Sequence, residues 1–153
     1  MINHGRRFVW ALVVCAGTIG HAIAGAEGPI SQYRFSWEGA FDRRIDVVIT
    51  MLEDGTSNVS ATIQDEPETT RFTQLSVPQT AELVREIERS GFWTMPSTSP
   101  CTGCRDGATW TVKGENQGKR HTVARWSPSG GPFWHLGTSF IRASGLKVSH
   151  ELY

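Results

Sequence analysis

Two stretches of the chain follow the same order: alternating polar and apolar residues, a glycine-containing turn, further β-prone residues and a helical pattern. Each helical pattern ends in Ser-Gly before an apolar residue, at Ser90-Gly91-Phe92 and at Ser144-Gly145-Leu146. Alternation with period 2 indicates half-buried strands, and period 3.6 indicates an amphipathic helix. Strands grouped before helices favour an antiparallel sheet with helices on one face. We therefore predict an α+β fold in ββα-ββα order, with two hairpins, an N-terminal strand and two helices on one face.

The first half contains the clearest strand patterns. Residues 33–37 alternate aromatic and polar side chains, and residues 45–52 and 58–63 are rich in β-branched residues. Asp54-Gly55 between the last two runs favours a hairpin, because glycine accepts the positive φ that such turns need. Residues 71–75 can add a further strand.

The first predicted helix has well-defined ends. Ser76 and Gln79 match the Ser-x-x-Gln capping box, and Gly91 is a suitable left-handed stop. The pattern between them predicts a helix over residues 78–90, with an apolar stripe on one side and charged residues on the other.

The second half repeats this organisation after a loop over residues 96–107 that is rich in Ser, Thr, Pro and Gly. Residues 108–113 and 119–126 predict a second hairpin, turning at residues 115–118. Pro132 is suited to open a second helix that ends at Gly145. The likeness of the two halves fits either an internal duplication or the ordinary way of stopping a helix.

The N-terminal 26 residues have the three-part pattern of a cleavable signal peptide. Arg6 and Arg7 precede an apolar run over residues 8–17, within the range of about 7–15 residues for such a segment. Small residues then allow cleavage after Ala24 or after Ala26, and Ala26 is preferred because a polar, turn-rich segment follows it. We predict a mature domain over residues 27–153, located in the periplasm or secreted.

Two alternatives to soluble export remain open. An uncleaved anchor would need about 20 apolar residues, whereas Thr18, Gly20 and His21 interrupt the run early. Lipidation at Cys15 would place a bulky Val14 where a small residue is expected. Neither is favoured, and no stable membrane insertion is predicted after cleavage.

Charge restricts the partners of the mature chain. Without residues 1–26, it keeps 13 basic residues (15 less Arg6 and Arg7) against 15 acidic residues. Nucleic acids and anionic membranes favour proteins with a clear basic excess. We therefore predict no nucleic acid partner and leave a protein or small-molecule partner open.

Cys101 and Cys104 form the sharpest chemical motif. In an oxidising compartment, two cysteines this close are predicted to form a disulfide. A redox-active pair usually lies at a helix N-terminus after a strand, whereas this pair lies in a Pro/Gly-containing loop. A thiol–disulfide redox protein is one alternative function. Zinc is not favoured, because His121 and His135 lack finger spacing.

Catalytic and cofactor motifs are absent from the sequence. It contains no Gly-x-Ser-x-Gly elbow and no glycine-rich phosphate loop. We therefore predict no cofactor and no metal, and assign no catalytic residue. A small hydrolase with an unrecognised site is the other alternative function.

An aromatic cluster suggests a partner-binding surface. Arg125, Trp126, Trp134 and His135 are the candidate binding residues, because aromatic residues and arginine are the usual anchors of interfaces. Trp110, Phe133 and Phe140 are instead assigned to the core, and Trp134 is the best candidate for exposure, since it lies off the apolar stripe. We predict a non-enzymatic binding or interaction module.

The second half also resembles a group of small uncharacterised exported bacterial proteins with a Gly-Phe-Trp…Asp-Gly…Trp…Arg-Trp-Ser-Pro pattern. The residues that carry the resemblance are Gly91-Phe92-Trp93, Pro96, Asp106-Gly107, Trp110, Gly114, Gly118, His121, Val123, Arg125-Trp126-Ser127-Pro128, Phe133 and Ser144-Gly145-Leu146. The resemblance implies an α+β domain and export, and no activity. Cys101 and Cys104 are not part of the pattern.

Overall fold

Six strands and two helices make up the part of the chain that the computed structural model describes, residues 29–39, 43–64, 69–98 and 106–147. The strands are β1 (Ser31–Glu38), β2 (Arg44–Met51), β3 (Ser57–Gln64), β4 (Thr69–Leu75), β5 (Thr109–Asn116) and β6 (Lys119–Trp126). The helices are α1 (Val77–Arg89) and α2 (Gly131–Ser144), and a short 3-10 helix spans Phe92–Thr94.

All six strands belong to one antiparallel sheet with the order β4-β3-β2-β1-β5-β6. This confirms the α+β class. The ββα-ββα order matches only in part, because two strands precede α2 as predicted, whereas four strands precede α1. The further strand suggested over residues 71–75 is confirmed as β4, although six of its seven residues are exposed and burial does not alternate along it. Its pairing with β3 defines it as a strand.

The core lies between one face of the sheet and both helices. Alternate residues of the inner strands point into it, and α2 approaches the sheet closely at Gly137. A Cβ atom at Gly137 would lie 2.6 Å from Cε3 of Trp110. The fully buried side chains with the largest volumes are Trp110, Phe35, Phe92, Phe140, Ile49 and Leu136. The assignment of Trp110, Phe133 and Phe140 to the core is confirmed.

Both helix ends follow the local sequence signals. Oε1 of Gln79 accepts the backbone N–H of Ser76 at 2.9 Å, which forms the predicted capping contact at the start of α1. Gly91 and Gly145 adopt the left-handed conformation, with φ of 67° and 69°. A residue with a Cβ would be strained there, so glycine ends both helices as predicted.

The hairpin turns differ in how well they were predicted. Gly55 has φ of 81° in the β2–β3 turn, as expected from Asp54-Gly55. The β5–β6 turn is tighter than the predicted four-residue turn. Gln117 and Gly118 alone form it, both with positive φ, and two such residues match the twist of the flanking strands.

Several predictions concern segments outside the described residues. The signal peptide over residues 1–26 and the Cys101–Cys104 disulfide both lie there. In the described ranges, neither helix is long and apolar enough to cross a bilayer.

Candidate functional site

The four residues predicted to bind a partner do not form one surface. Arg125 and Trp126 are consecutive on β6, so their side chains point to opposite faces of the sheet. Arg125 lies on the helix side, where its guanidinium donates to the carbonyl oxygens of Pro96 (2.8 Å) and Ala124 (2.7 Å). It also lies 5.4 Å from the ring centroid of Phe133. These contacts join β6 to the segment that follows the 3-10 helix and to α2.

The other three candidates have different surroundings. Trp126 is 37% exposed on the face of the sheet that the helices do not cover. Trp134 is half-buried and packs against the core, so it is not the exposed member of the cluster. Its neighbour His135 is exposed and lies beside Glu86 and Arg89 in a cleft between α1 and α2. Trp134 contacts the core because the buried side of α2 is wider than its predicted stripe.

Histidine contacts bear on the hydrolase and zinc alternatives. Nε2 of His121 is 2.9 Å from the carbonyl oxygen of Met95, and its ring packs against Phe92. Among the residues that the structure describes, no histidine ring is hydrogen-bonded to a serine, and no three metal-ligating side chains form a group. The one hydrogen bond between these residue types in the described ranges runs from Oγ of Ser139 to the backbone carbonyl oxygen of His135. His121 therefore holds the segment that follows the 3-10 helix against β6.

The sheet has two outer edges, and the β6 edge is occupied. The backbone N–H of Ala124 donates to the carbonyl oxygen of Ser97 at 2.7 Å, and Thr98 forms a parallel bridge with Ala124. The hydrogen bond from Arg125 to Pro96 holds the same segment in place. The segment that contains Ser97 and Thr98 therefore blocks the pairing of another strand with β6.

The β4 edge is different. In the part of the chain that the structure describes, no segment pairs with the outer side of β4. Its free backbone groups follow from the alternation of an antiparallel ladder, in which a residue directs both its N–H and its C=O to the same neighbour. Two hydrogen bonds show which residues of each strand bond to which neighbour. The N–H of Leu52 donates to the carbonyl oxygen of Thr56, and the N–H of Gly39 donates to that of Arg43.

Given these two hydrogen bonds, the even-numbered residues of β2 direct their backbone N–H and C=O groups to β3. The odd-numbered residues of β3 direct theirs to β4. Arg71 and Thr73 therefore bond to β3, whereas Thr70, Phe72 and Gln74 direct their backbone groups outward. By the same alternation, the backbone groups of Ala124 on β6 point away from β5, which agrees with the hydrogen bond from its N–H to Ser97.

Side chains on both faces of β4 accompany these free groups. Phe72 is 83% exposed on the open face, above a depression of about 470 Å³ that Val48 and Ser60 help to line. On the helix face, Thr73 and Leu75 line a groove of about 380 Å³ between β4, α1 and α2.

The groove has an apolar floor and a charged rim. Leu75, Leu83 and Ala143 contribute apolar surface, and Glu82, Glu86 and Arg142 contribute charge. Hydrogen bonds from Arg85 and, to a smaller extent, from Arg89 hold the pKa of Glu82 below its ordinary value, so this carboxylate is ionised at neutral pH. The guanidinium of Arg142 makes no hydrogen bond or ion pair within the described ranges.

Comparisons with known proteins identify no relative. No protein-family model matches the chain, and no curated protein shows significant sequence similarity to it. The geometry of the described residues is therefore the basis for a functional proposal. Sequence reasoning did not find the β4 edge; the available signal was Phe72, a large aromatic residue among polar neighbours.

Proposed function

We propose that the chain is an exported, non-enzymatic interaction module that binds an extended polypeptide segment by adding it as a strand to β4. The observation that carries the proposal is the outer side of β4, which no segment of the described residues pairs with and where Thr70, Phe72 and Gln74 direct their backbone groups outward. Unpaired strand edges are templates for pairing with another chain.

The composition of β4 supports this use. Natural edge strands are commonly protected by lysine, proline, a bulge or short length. Residues 69–75 contain neither lysine nor proline, and all seven pair in continuous register with β3. Ser97 and Thr98 cover the opposite edge at β6, whereas no described segment covers the outer side of β4.

The two faces of β4 provide a means of selecting the incoming segment. In strand addition, main-chain hydrogen bonds supply affinity and pockets for alternate side chains supply specificity. One set of side chains would meet Phe72 on the open face. The other set would enter the groove beside Leu75 and Leu83.

A proline substitution tests the main-chain part of this proposal. Gln74→Pro removes an outward N–H and leaves the ladder to β3 intact, while Gln74→Ala keeps the N–H and serves as the matched control. Linear peptides selected from a random displayed library on the wild-type protein are the probe. We expect Gln74→Pro to weaken their binding by about tenfold or more and Gln74→Ala to preserve it. Equal binding by both variants would contradict strand addition.

Export and the disulfide are part of the same proposal. Protein recovered after export should begin at Glu27, with Gly25 as the alternative start, and N-terminal sequencing checks this. Its intact mass should rise on reduction and alkylation by two blocked thiols, from Cys101 and Cys104. A mature chain that retains residues 1–26 would contradict export by signal cleavage.

A further inference from the structure

We infer that the strand taken up by β4 is β4 of a second copy of this chain, in an antiparallel pair whose two-fold axis passes beside Phe72. This inference rests on the proposed strand addition and names its partner. Closed two-fold dimers use the same patch of both subunits, so the patch must be complementary to itself. The β4 edge meets this condition in its main chain and in its side chains.

The outward backbone groups are complementary in one centred register. When Phe72 lies opposite Phe72 of the second copy, each residue accepts the other's N–H. Thr70 then lies opposite Gln74 of the second copy, and Gln74 opposite its Thr70. Every outward-directed residue between 70 and 74 is hydrogen-bonded in this arrangement. Registers shifted by two residues leave one outward-directed residue of each strand without a partner between residues 70 and 74.

Side chains on the open face support the same register. Phe72 is 83% exposed in the single chain, and the pairing places the two phenyl rings opposite each other across the new strand boundary. Aromatic pairs at directly opposed positions stabilise antiparallel strands. Thr70 and Gln74 are uncharged, so the flanking pairs bring no like charges together.

Charge on the helix face is also compatible. Arg71 is the single charged residue of β4, and within the described residues its guanidinium makes no hydrogen bond or ion pair. In the centred register it lies directly opposite Thr73 of the second copy, and the other Arg71 is its diagonal neighbour at about 7–8 Å. Thr73 lines the groove whose rim includes Glu82 and Glu86, so Arg71 is directed toward a rim with two carboxylates and one guanidinium.

A cysteine pair tests the register directly. Opposed residues of a hydrogen-bonded antiparallel pair have Cα atoms about 5.5 Å apart, within the range that a disulfide spans. Phe72→Cys should therefore form a disulfide-linked dimer under mild oxidation. Thr70→Cys, on the same face of the same strand, should not, because the two Thr70 positions lie four residues apart along the ladder. Equal linkage of both variants would overturn the centred register.

Sedimentation velocity on the exported chain tests the association itself. From about 1 μM to about 500 μM, we expect the wild type and Gln74→Ala to shift from monomer to dimer and Gln74→Pro to remain monomeric. Phe72→Ala, which keeps the main-chain hydrogen bonds but loses the ring pair, should dimerise only near the upper end of this range. Circular dichroism verifies that each variant is folded.

The outcomes separate the two proposals. A wild type that stays monomeric while its selected peptides bind in a Gln74→Pro-sensitive manner overturns the second copy as partner and leaves strand addition standing. A dimer that persists with wild-type affinity in Gln74→Pro and Phe72→Ala overturns the β4 interface, and peptide binding insensitive to Gln74→Pro then removes strand addition as well.

Discussion

The guanidinium of Arg125 donates a hydrogen bond of 2.8 Å to the carbonyl oxygen of Pro96, a residue 29 positions earlier in the chain. The contact attaches the segment after the 3-10 helix to β6 and keeps Ser97 in place to pair with Ala124. Arg125 was a predicted partner-binding residue, but the observed contacts tie it to the closing of one sheet edge.

Arg125→Ala should lower the free energy of unfolding by about 1–2 kcal/mol, because a charged donor to two carbonyls and a contact over Phe133 are lost. Arg120→Ala is the control on the same strand. Its exposed ion pair with Glu115 should contribute little, because solvent screens both charges, so Arg120→Ala should cost clearly less than Arg125→Ala. Urea unfolding measures both, and equal costs would contradict the role of Arg125.

Gly137→Ala should destabilise the protein by about 1–3 kcal/mol, although alanine favours a helix over glycine by about 1 kcal/mol. The new methyl group would lie within 2.7 Å of two ring atoms of Trp110 and force α2 from the sheet. Arg142→Ala, at an exposed position of α2, is the control and should change stability by less than about 0.5 kcal/mol. Thermal unfolding that shows Gly137→Ala to be stabilising would contradict the close approach.

Asp46→Asn should change how the free energy of unfolding depends on pH. Burial acts to raise the pKa of Asp46, but hydrogen bonds from Arg44 and Ser36 and the charges of Arg44 and Arg34 outweigh it, so the pKa lies below its ordinary value. A lowered pKa in the folded state means that the carboxylate stabilises the protein above about pH 4, and that this contribution is lost as the pH falls through the folded pKa.

In urea unfolding, the wild type should therefore exceed Asp46→Asn in stability by about 1 kcal/mol at pH 7. The gap should remain nearly constant down to about pH 5 and narrow below pH 4. A gap that widens in acid would contradict the direction of the pKa shift.

Hydrogen exchange should alternate along β4. In dilute protein, the amides of Arg71 and Thr73 are bonded to β3 and should exchange slowly, whereas those of Phe72 and Gln74 should exchange at nearly unprotected rates. Raising the protein concentration should protect Phe72 and Gln74 selectively. Slow exchange of Phe72 at every concentration would contradict the outward direction of its N–H.

Sequence reasoning succeeded where the determining contacts are local. The contact of Ser76 with Gln79 and the positive φ of Gly91 and Gly145 depend on residues within one turn, so the helix ends were predictable. The class of fold followed from periodicity.

The remaining features depend on contacts that are distant in sequence. The strand β4 is defined by its ladder to β3, while its own residues are exposed and lack alternation. The role of Arg125 depends on where Pro96 is brought by the intervening chain. Local periodicity contains no information about either contact, which is why the open edge and the closed edge were both missed.

The placement of both helices on one side of the sheet has a consequence for an assembly paired along β4. A two-fold axis perpendicular to the sheet keeps all four helices on one side and leaves a twelve-stranded, hydroxyl-rich platform on the other. With strands about 4.8 Å apart, the platform would measure about 50 Å across. The two Trp126 side chains would lie near its opposite ends, so the assembly would present every site on this face twice.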